Sequence, residues 1–194
     1  MIAIGRKHQY NDIELNLNFK GSESIAIAVH DQRDWLLTKH KYTNFAGIMR
    51  SGVGIPYDIA TLSEFPFVDD IANTICDAFK KNGFQASAIK TIHTETPETV
   101  LENLKGLGAS KLLLVSLNQW YCDVYNKTWM YYNVTAQLMN SNGEIIGKST
   151  IEDKEAIGGS FWNPVRFARK AVPVFFKRKF EELLNAKEIV VFNH

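Results

Sequence analysis

Five consecutive residues, His30 to Asp34, bring together side chains that enzymes use for proton transfer and for metal binding. The run reads His-Asp-Gln-Arg-Asp, and a further histidine, His40, follows shortly after it. Imidazole and carboxylate groups serve both purposes. Charged residues also stand where a buried strand leaves the core, and Arg33 can pair with Asp31 or with a later carboxylate. The sequence therefore favours structural ion pairing over catalysis at this cluster.

The stretch 44–62 holds three glycines, Gly47, Gly52 and Gly54, in a spacing loosely similar to that of a phosphate-binding loop. Such a loop needs Lys and Ser or Thr after its final glycine, and here Val53 follows Gly52. The dinucleotide-binding fingerprint also fails, because no GxGxxG opens a helix. The glycines therefore indicate loop geometry, and no cofactor is expected.

Other candidate nucleophiles lack the context that would activate them. Ser51 lies in Arg-Ser-Gly-Val-Gly and not in a GxSxG elbow. Cys76 falls within an apolar helical pattern, and together with Cys122 it forms no metal-type spacing. We expect two buried free thiols, no metal site and no catalytic residue. The alternative is a hydrolase-type enzyme that uses the His30–Asp34 cluster beneath the 44–62 loop.

Aromatic residues are concentrated around one predicted strand-to-strand connection. Burial explains Tyr121 and Tyr132, whereas Trp129 and Tyr131 lie on a face that continues into polar residues. Exposed aromatic side chains of this kind often mark partner surfaces. The candidate binding residues, drawn from this face, the 44–62 loop and the charged cluster, are Arg33, Arg50, Tyr57, Trp129 and Tyr131.

A basic set lies on the last predicted helix: Arg166, Arg169, Lys170, Lys177, Arg178 and Lys179. A solvated helix face is the first interpretation, an anionic membrane surface the second and RNA the third. The formal net charge of the whole chain is only +1, which counts against nucleic acid as a partner.

The composition indicates one globular domain that spans residues 1–194. The chain is 45% hydrophobic and 22% charged, which is ordinary for a domain with a full core. No apolar stretch reaches the length of a membrane span.

Hydrophobic periodicity predicts the elements that must position these side chains. Predicted strands are 13–19, 24–30, 84–92, 111–125, 129–141 and 144–157, with a short edge strand at 188–192. Predicted helices start near Pro66 (with Ser63 as a possible cap), Thr96 and Asn163, and Pro173 should kink or divide the last helix. Residues 34–62 are expected to form a long glycine-rich loop, with Phe45 and Ile48 as a plug and Arg50 and Tyr57 lining a groove.

These elements predict an α/β (α+β) fold. We expect a two-layer sandwich in which a mixed or mainly antiparallel sheet is covered by helices on one face. The dipeptide Asn142-Gly143 favours a type I′ hairpin between the last two long strands. On the middle strand Met130 and Tyr132 should face the core, and Trp129 and Tyr131 should face solvent or a partner.

Several of these motifs resemble the YajG-type family of bacterial envelope lipoproteins. In that family a "DQR" motif closes the first core strand, a helix ends in a glycine-aromatic pair such as Gly83-Phe84, and a long "L-x-V-x-L" strand precedes an Asn-Gly hairpin. The resemblance implies a lipid-anchored protein on the periplasmic side of the outer membrane, without known catalysis or functional residues. It requires that a leader and a lipobox cysteine, absent from this sequence, were trimmed away. A periplasmic location would also favour a Cys76–Cys122 disulfide.

The resulting hypothesis is a non-enzymatic envelope protein. It would bind an envelope protein or a cell-wall component through the open sheet face and the 44–62 loop, with a homo-oligomer as a further option. No nucleic acid is expected, and membrane contact is expected only through the absent lipid anchor. A basic-helix membrane-surface or RNA binder is the remaining alternative.

Overall fold

A computed structural model describes residues 7–38 and 40–190 of the chain. The strands are β1 (Lys7–His8), β2 (Ser24–Asp31), β3 (Phe45–Arg50), β4 (Pro56–Thr61), β5 (Gln85–Ile89), β6 (Lys111–Val124), β7 (Lys127–Asn140) and β8 (Ile145–Gly159). The helices are α1 (Asp34–Leu37), α2 (Phe67–Lys81), α3 (Pro97–Lys105) and α4 (Pro164–Leu184). The expected edge strand at 188–192 is a turn up to residue 189, and its last two residues lie outside the described range.

The long strand β6 organises the sheet. One edge pairs with β7 in antiparallel register over its whole length. Its other edge is shared by two parallel neighbours: β2 covers Lys111 to Leu117, and β3 covers Cys122 to Val124. Within the described residues, eight strands form one mixed sheet, in which β5 extends beyond β2, β4 and β1 extend beyond β3, and β8 extends beyond β7.

The helices pack on both faces of this sheet. The main core lies between the sheet and the pair α2 and α4, with Ile25, Ile27 and Trp120 among its members. The short helix α3 packs on the opposite face, where Val100 and Leu104 contact the small side chains of β2. The predicted α/β sandwich with a mixed sheet is confirmed, but helices are not confined to one face.

Residues 34–62 contain regular structure where a long loop was expected. Helix α1 is followed by an antiparallel hairpin of β3 and β4, and only 51–55 form the turn between them. The hairpin forms because β6 extends beyond the end of β2 and offers β3 an unpaired edge. Phe45 is buried, as predicted, whereas Ile48 is only half-buried.

Gly47 is needed for the contact between β3 and β6. A Cβ at this position would lie 2.5 Å from the carbonyl oxygen of Cys122 and against its Sγ atom, whereas a Cβ at Gly52 would meet nothing. Gly47→Ala should therefore lower the free energy of unfolding by about 1–3 kcal/mol. Gly52→Ala is the matched control and should leave it nearly unchanged. Urea unfolding followed by circular dichroism measures both, and equal effects would contradict this account.

The segment 13–19 is extended but forms no strand. Its burial alternates as predicted, with Leu15, Leu17 and Phe19 buried. Its backbone, however, is bound by α4 side chains instead of a neighbouring strand: the Asn16 amide donates to Glu181 Oε1 at 2.7 Å. The predicted apolar alternation is confirmed, but the partner of the segment is a helix.

The helix boundaries largely follow the sequence signals. The side chains of Thr96 and Asn163 accept hydrogen bonds from the third residue of α3 and α4, as N-caps do. Ser63 instead donates its hydroxyl to Asp70, and α4 continues through Pro173 as one helix. Cys76 and Cys122 are buried free thiols, as expected from the residues alone.

His8 makes stability depend on pH. It is fully buried, and burial first and Arg169 second lower its pKa to about 4, from an ordinary value near 6.5. Between about pH 4 and pH 6.5 the imidazole of His8 is protonated in the unfolded chain and neutral in the folded chain. The stability that neutral His8 contributes is therefore fully present above about pH 6.5 and is lost as pH falls towards 4. The free energy of unfolding should fall by about 2–3 kcal/mol over this range.

Urea unfolding between pH 4 and pH 7.5 measures this effect. His8→Gln should flatten that pH dependence, whereas His40→Gln, at an exposed histidine, should not. Identical pH profiles for wild type and His8→Gln would refute the assignment.

Candidate functional site

Three aromatic rings form a surface on β6 and β7 that we call the aromatic face: Tyr121, Trp129 and Tyr131. Trp129 and Tyr131 lie on the outer side of β7 and are half-buried, while Met130 and Tyr132 face the core, as predicted. Tyr121 was expected in the core and instead lies on this outer face. A β-bulge between Leu117 and Gln119 shifts the alternation of β6 by one residue.

The rings of the aromatic face are held in a fixed arrangement. Tyr121 and Tyr131 stack with their centroids 4.5 Å apart and their planes 3° from parallel. Trp35 meets Tyr121 edge-on at 4.8 Å. On β8, Lys154 places its Nζ atom 4.8 Å from the centre of the Trp129 ring and 4.9 Å from that of Tyr131. The face is therefore preorganised before any ligand arrives.

An arginine–carboxylate pair flanks the rings. Arg50 of β3 donates from Nε to Asp123 Oδ1 at 2.9 Å and from Nη2 to Oδ2 at 2.7 Å. The side chain of Arg50 is 36% exposed and that of Asp123 is 18% exposed. Both partners thus keep contact with solvent and can offer further donors and acceptors to a ligand.

A concavity of about 460 Å³, here named the Arg50 cleft, joins these groups. Its lining includes Arg50, Asp123, Tyr125, Lys127, Trp129 and Tyr131. Three predicted candidates, Arg50, Trp129 and Tyr131, are therefore neighbours in space. Tyr57 lies one strand further away on β4, opposite Met49, and is half-buried.

Arg33, the fifth candidate, does not belong to any surface. It is fully buried, with Nε 2.8 Å from Asp31 Oδ1 and Nη2 2.7 Å from Oδ2. Its Nη1 atom donates to the carbonyl oxygens of Phe45 at 2.6 Å and Trp120 at 3.3 Å. Arg33 thus fills the space between the end of β2 and the start of the β3 pairing along the same edge of β6. Its inclusion among the binding residues was wrong, because its contacts are internal.

The other polar members of the His30–Asp34 cluster lie in different environments. His30 is 2% exposed, its Nδ1 atom lies 3.3 Å from Gln32 Nε2, and burial lowers its pKa. Asp34 is exposed in the first turn of α1. Over residues 7–38 and 40–190, no three His, Cys, Asp or Glu side chains are arranged to hold a metal ion. The cluster contributes structure, in agreement with the ion-pair interpretation.

Sequence reasoning missed Asp123, Tyr121 and Lys154 as members of the site. Asp123 and Tyr121 follow the bulge in β6. The first half of β6 is apolar on both faces of the sheet, so the sequence does not reveal where the alternation shifts. Lys154 reaches the rings only because Lys154 is the register partner of Tyr131 across β7 and β8. The one available signal was a charged residue opposite an aromatic residue. Recognising it requires the pairing register of β7 with β8.

The basic set of α4 divides into two halves. Lys177 pairs with Glu181, and both Arg178 and Lys179 pair with Glu155 on β8. The first half, Arg166, Arg169 and Lys170, is exposed. No described helix is both long and apolar enough to cross a bilayer.

One solved structure shows the fold of this chain. No protein-family model matches the chain, and no curated protein sequence matches it. The crystal structure of XCC0632 from Xanthomonas campestris, of family model DUF330, is similar with a TM-score of 0.59 at 12% identity, covering 94% of each chain.

Weaker similarities extend to two further proteins. The PelC dodecamer from Paraburkholderia phytofirmans has a TM-score of 0.47 at 11% identity, over 90% of this chain and 94% of that chain. Lipoprotein GNA1162 from Neisseria meningitidis has a TM-score of 0.32 at 16% identity, over 80% and 99%. The chain shares its fold with XCC0632.

Proposed function

We propose that this chain is a single-domain, non-enzymatic binding module of the bacterial cell envelope, on the periplasmic side of the outer membrane. Its resemblance to YajG-type lipoproteins supports the compartment. The observation that carries the binding role is the aromatic face beside the half-exposed pair of Arg50 and Asp123. These groups contact one another and remain partly exposed.

The chemistry of this surface suits a protein partner. Trp, Tyr and Arg are the residues that dominate binding energy in protein interfaces, and they do so best at the centre of a patch. Here the rings continue along β7 into Asn133, Thr135 and Gln137, which provide a polar rim. An aromatic centre with a polar rim is the usual anatomy of such an interface. Among the residues that the structure describes, the lining of the cleft supplies groups for recognition and holds no nucleophile paired with a base.

Site-specific photo-cross-linking in bacterial cells tests this proposal. A photoreactive amino acid at position 131 should give a discrete protein adduct, whereas one at position 102, exposed on α3, should not. Trp129→Ala should weaken binding of the identified partner by about 2 kcal/mol, as expected of a hot spot. A different pair of results would indicate a cell-wall component instead of a protein partner. In that case cross-linking would give no protein adduct, and purified protein would be retained on isolated cell-wall sacculi unless it carried Trp129→Ala.

A further inference from the structure

Three turns meet at one end of the sheet, and together we name them the apolar pole: 51–55, 125–126 and 160–163. The first two are neighbours because β3 runs parallel to β6, and the hydroxyl of Tyr125 donates to the carbonyl oxygen of Gly52 at 3.2 Å. The third follows directly on β8, whose last residue is the register partner of Lys127. The pole is thus one contiguous surface built from three separate parts of the chain.

The apolar pole exposes an unusual amount of hydrophobic side chain. The exposed fractions are 84% for Val53, 53% for Ile55, 77% for Phe161 and 92% for Trp162. The rings of Phe161 and Trp162 contact each other edge-to-face at 5.5 Å. The three turns themselves contain no charged residue. Large apolar side chains grouped at the tips of turns indicate a surface that is covered in use.

Cations surround the apolar pole. Lys127 stands directly behind the 125–126 turn, and Arg166, Arg169 and Lys170 lie in the first two turns of α4, behind 160–163. All four are exposed, and across the described residues none of them forms an ion pair. The nearest carboxylate on β6, Asp123, is already held by Arg50. The electrostatic surface behind the tips is therefore positive and uncompensated.

We propose that the apolar pole binds directly to an anionic lipid bilayer, with Val53, Phe161 and Trp162 in the interfacial layer and the four cations on lipid phosphates. Tryptophan and phenylalanine favour this layer, and each nearby Lys or Arg adds attraction to an anionic leaflet. This goes beyond the expectation that membrane contact requires a lipid anchor. It uses none of the three rings of the aromatic face, although Lys127 also lines the Arg50 cleft.

A second copy of the chain fits this surface less well. A symmetric contact through the pole would bring two sets of unpaired cations against each other, and like charges across an interface are repulsive. A bilayer with phosphatidylglycerol offers both an apolar phase for the tips and anions for the cations. The charge pattern therefore selects the membrane as the occupant.

Flotation with lipid vesicles tests the proposal. The purified chain should float with phosphatidylethanolamine vesicles that contain phosphatidylglycerol, and at least tenfold less with phosphatidylcholine vesicles. Phe161→Ser with Trp162→Ser should reduce binding at least tenfold, and so should Arg166→Glu with Lys170→Glu. Bilayers with brominated acyl chains should quench the tryptophan fluorescence of the wild type, and this quenching should be absent from Trp162→Phe.

Matched controls are available on the same chain. Phe65→Ser with Leu107→Ser removes two exposed apolar side chains elsewhere, and Lys20→Glu with Lys148→Glu reverses two exposed charges elsewhere. Both control variants should bind vesicles like the wild type. Equal loss in control and pole variants would overturn the proposal. So would an absence of vesicle binding together with an oligomer that dissociates in the Phe161 and Trp162 variant, because the pole would then contact a second copy.

Discussion

Replacing Arg33 with alanine is expected to lower the free energy of unfolding by about 3–5 kcal/mol. The variant leaves the carboxylate of Asp31, 2% exposed, without its bidentate partner. A buried unpaired carboxylate is costly because neither water nor a cation compensates its charge. The carbonyl oxygens of Phe45 and Trp120 lose a donor in the same step. Urea unfolding at neutral pH, followed by circular dichroism, measures the loss.

The chain provides its own control in Arg50. The Arg50–Asp123 pair has the same bidentate geometry, but its arginine is 36% exposed. Arg50→Ala should therefore cost much less than Arg33→Ala. Asp31→Asn with Arg33→Met removes both buried charges and should recover part of the unfolding free energy that Arg33→Ala loses. This double variant still tests the prediction if Arg33→Ala does not fold. Equal losses for Arg33→Ala and Arg50→Ala would refute the assigned role of burial.

Trp120→Ala is expected to destabilise the fold by about 3–5 kcal/mol. Trp120 is fully buried, and its ring lies 5.4 Å from that of Phe180, 5.6 Å from Phe176 and 6.0 Å from Phe175, all on α4. Truncation removes the contact surface between β6 and this helix and leaves a cavity that neighbouring rings fill only in part. Thermal and urea unfolding both report the change.

Trp162→Ala is the matched control for this prediction. Trp162 is 92% exposed, so its removal should change the free energy of unfolding by less than about 0.5 kcal/mol. A similar loss in both variants would show that the core contacts of Trp120 are not what stabilises the packing of α4. The same control variant also serves the vesicle experiments, because it should fold normally while binding lipid less.

The two proposed surfaces adjoin each other. Lys127 lines the Arg50 cleft and also stands behind the apolar pole, and Tyr125 connects the two. If both proposals hold, a partner bound at the aromatic face is kept close to the bilayer. The two sets of variants separate them, because Trp129→Ala should affect the partner and Phe161→Ser with Trp162→Ser should affect lipid binding.

The local features of this protein could be predicted from its sequence. The caps at Thr96 and Asn163 depend on a side chain and a backbone amide three residues later, so a short window contains both partners. The alternation of Met130 and Tyr131 follows from the two-residue period of a strand. The order of strands and helices followed from such patterns in most of the chain.

The site depended on contacts that no short window contains. The sequence makes Arg33 a binding candidate, because its internal contacts arise only at the point where β6 stops pairing with β2 and starts pairing with β3. The glycine content of the segment 45–61 predicts a loop, because the strand edge that pairs with β3 belongs to β6, far away in the sequence. Strand alternation alone predicts a core position for Tyr121, because the bulge at Asn118 is set by the pairing of β6 with β7.

The sequence by itself determined the type of most elements, the ion-pair character of the His30–Asp34 cluster and the aromatic content of the β6–β7 region. Only the tertiary structure decided which side chains share a surface: it placed Arg50 and Asp123 beside Trp129, and it grouped three uncharged turns into one pole. The physical reason is that backbone propensity and periodicity act within a few residues. Register, bulges and the meeting of turns arise from pairings between strands far apart in the chain.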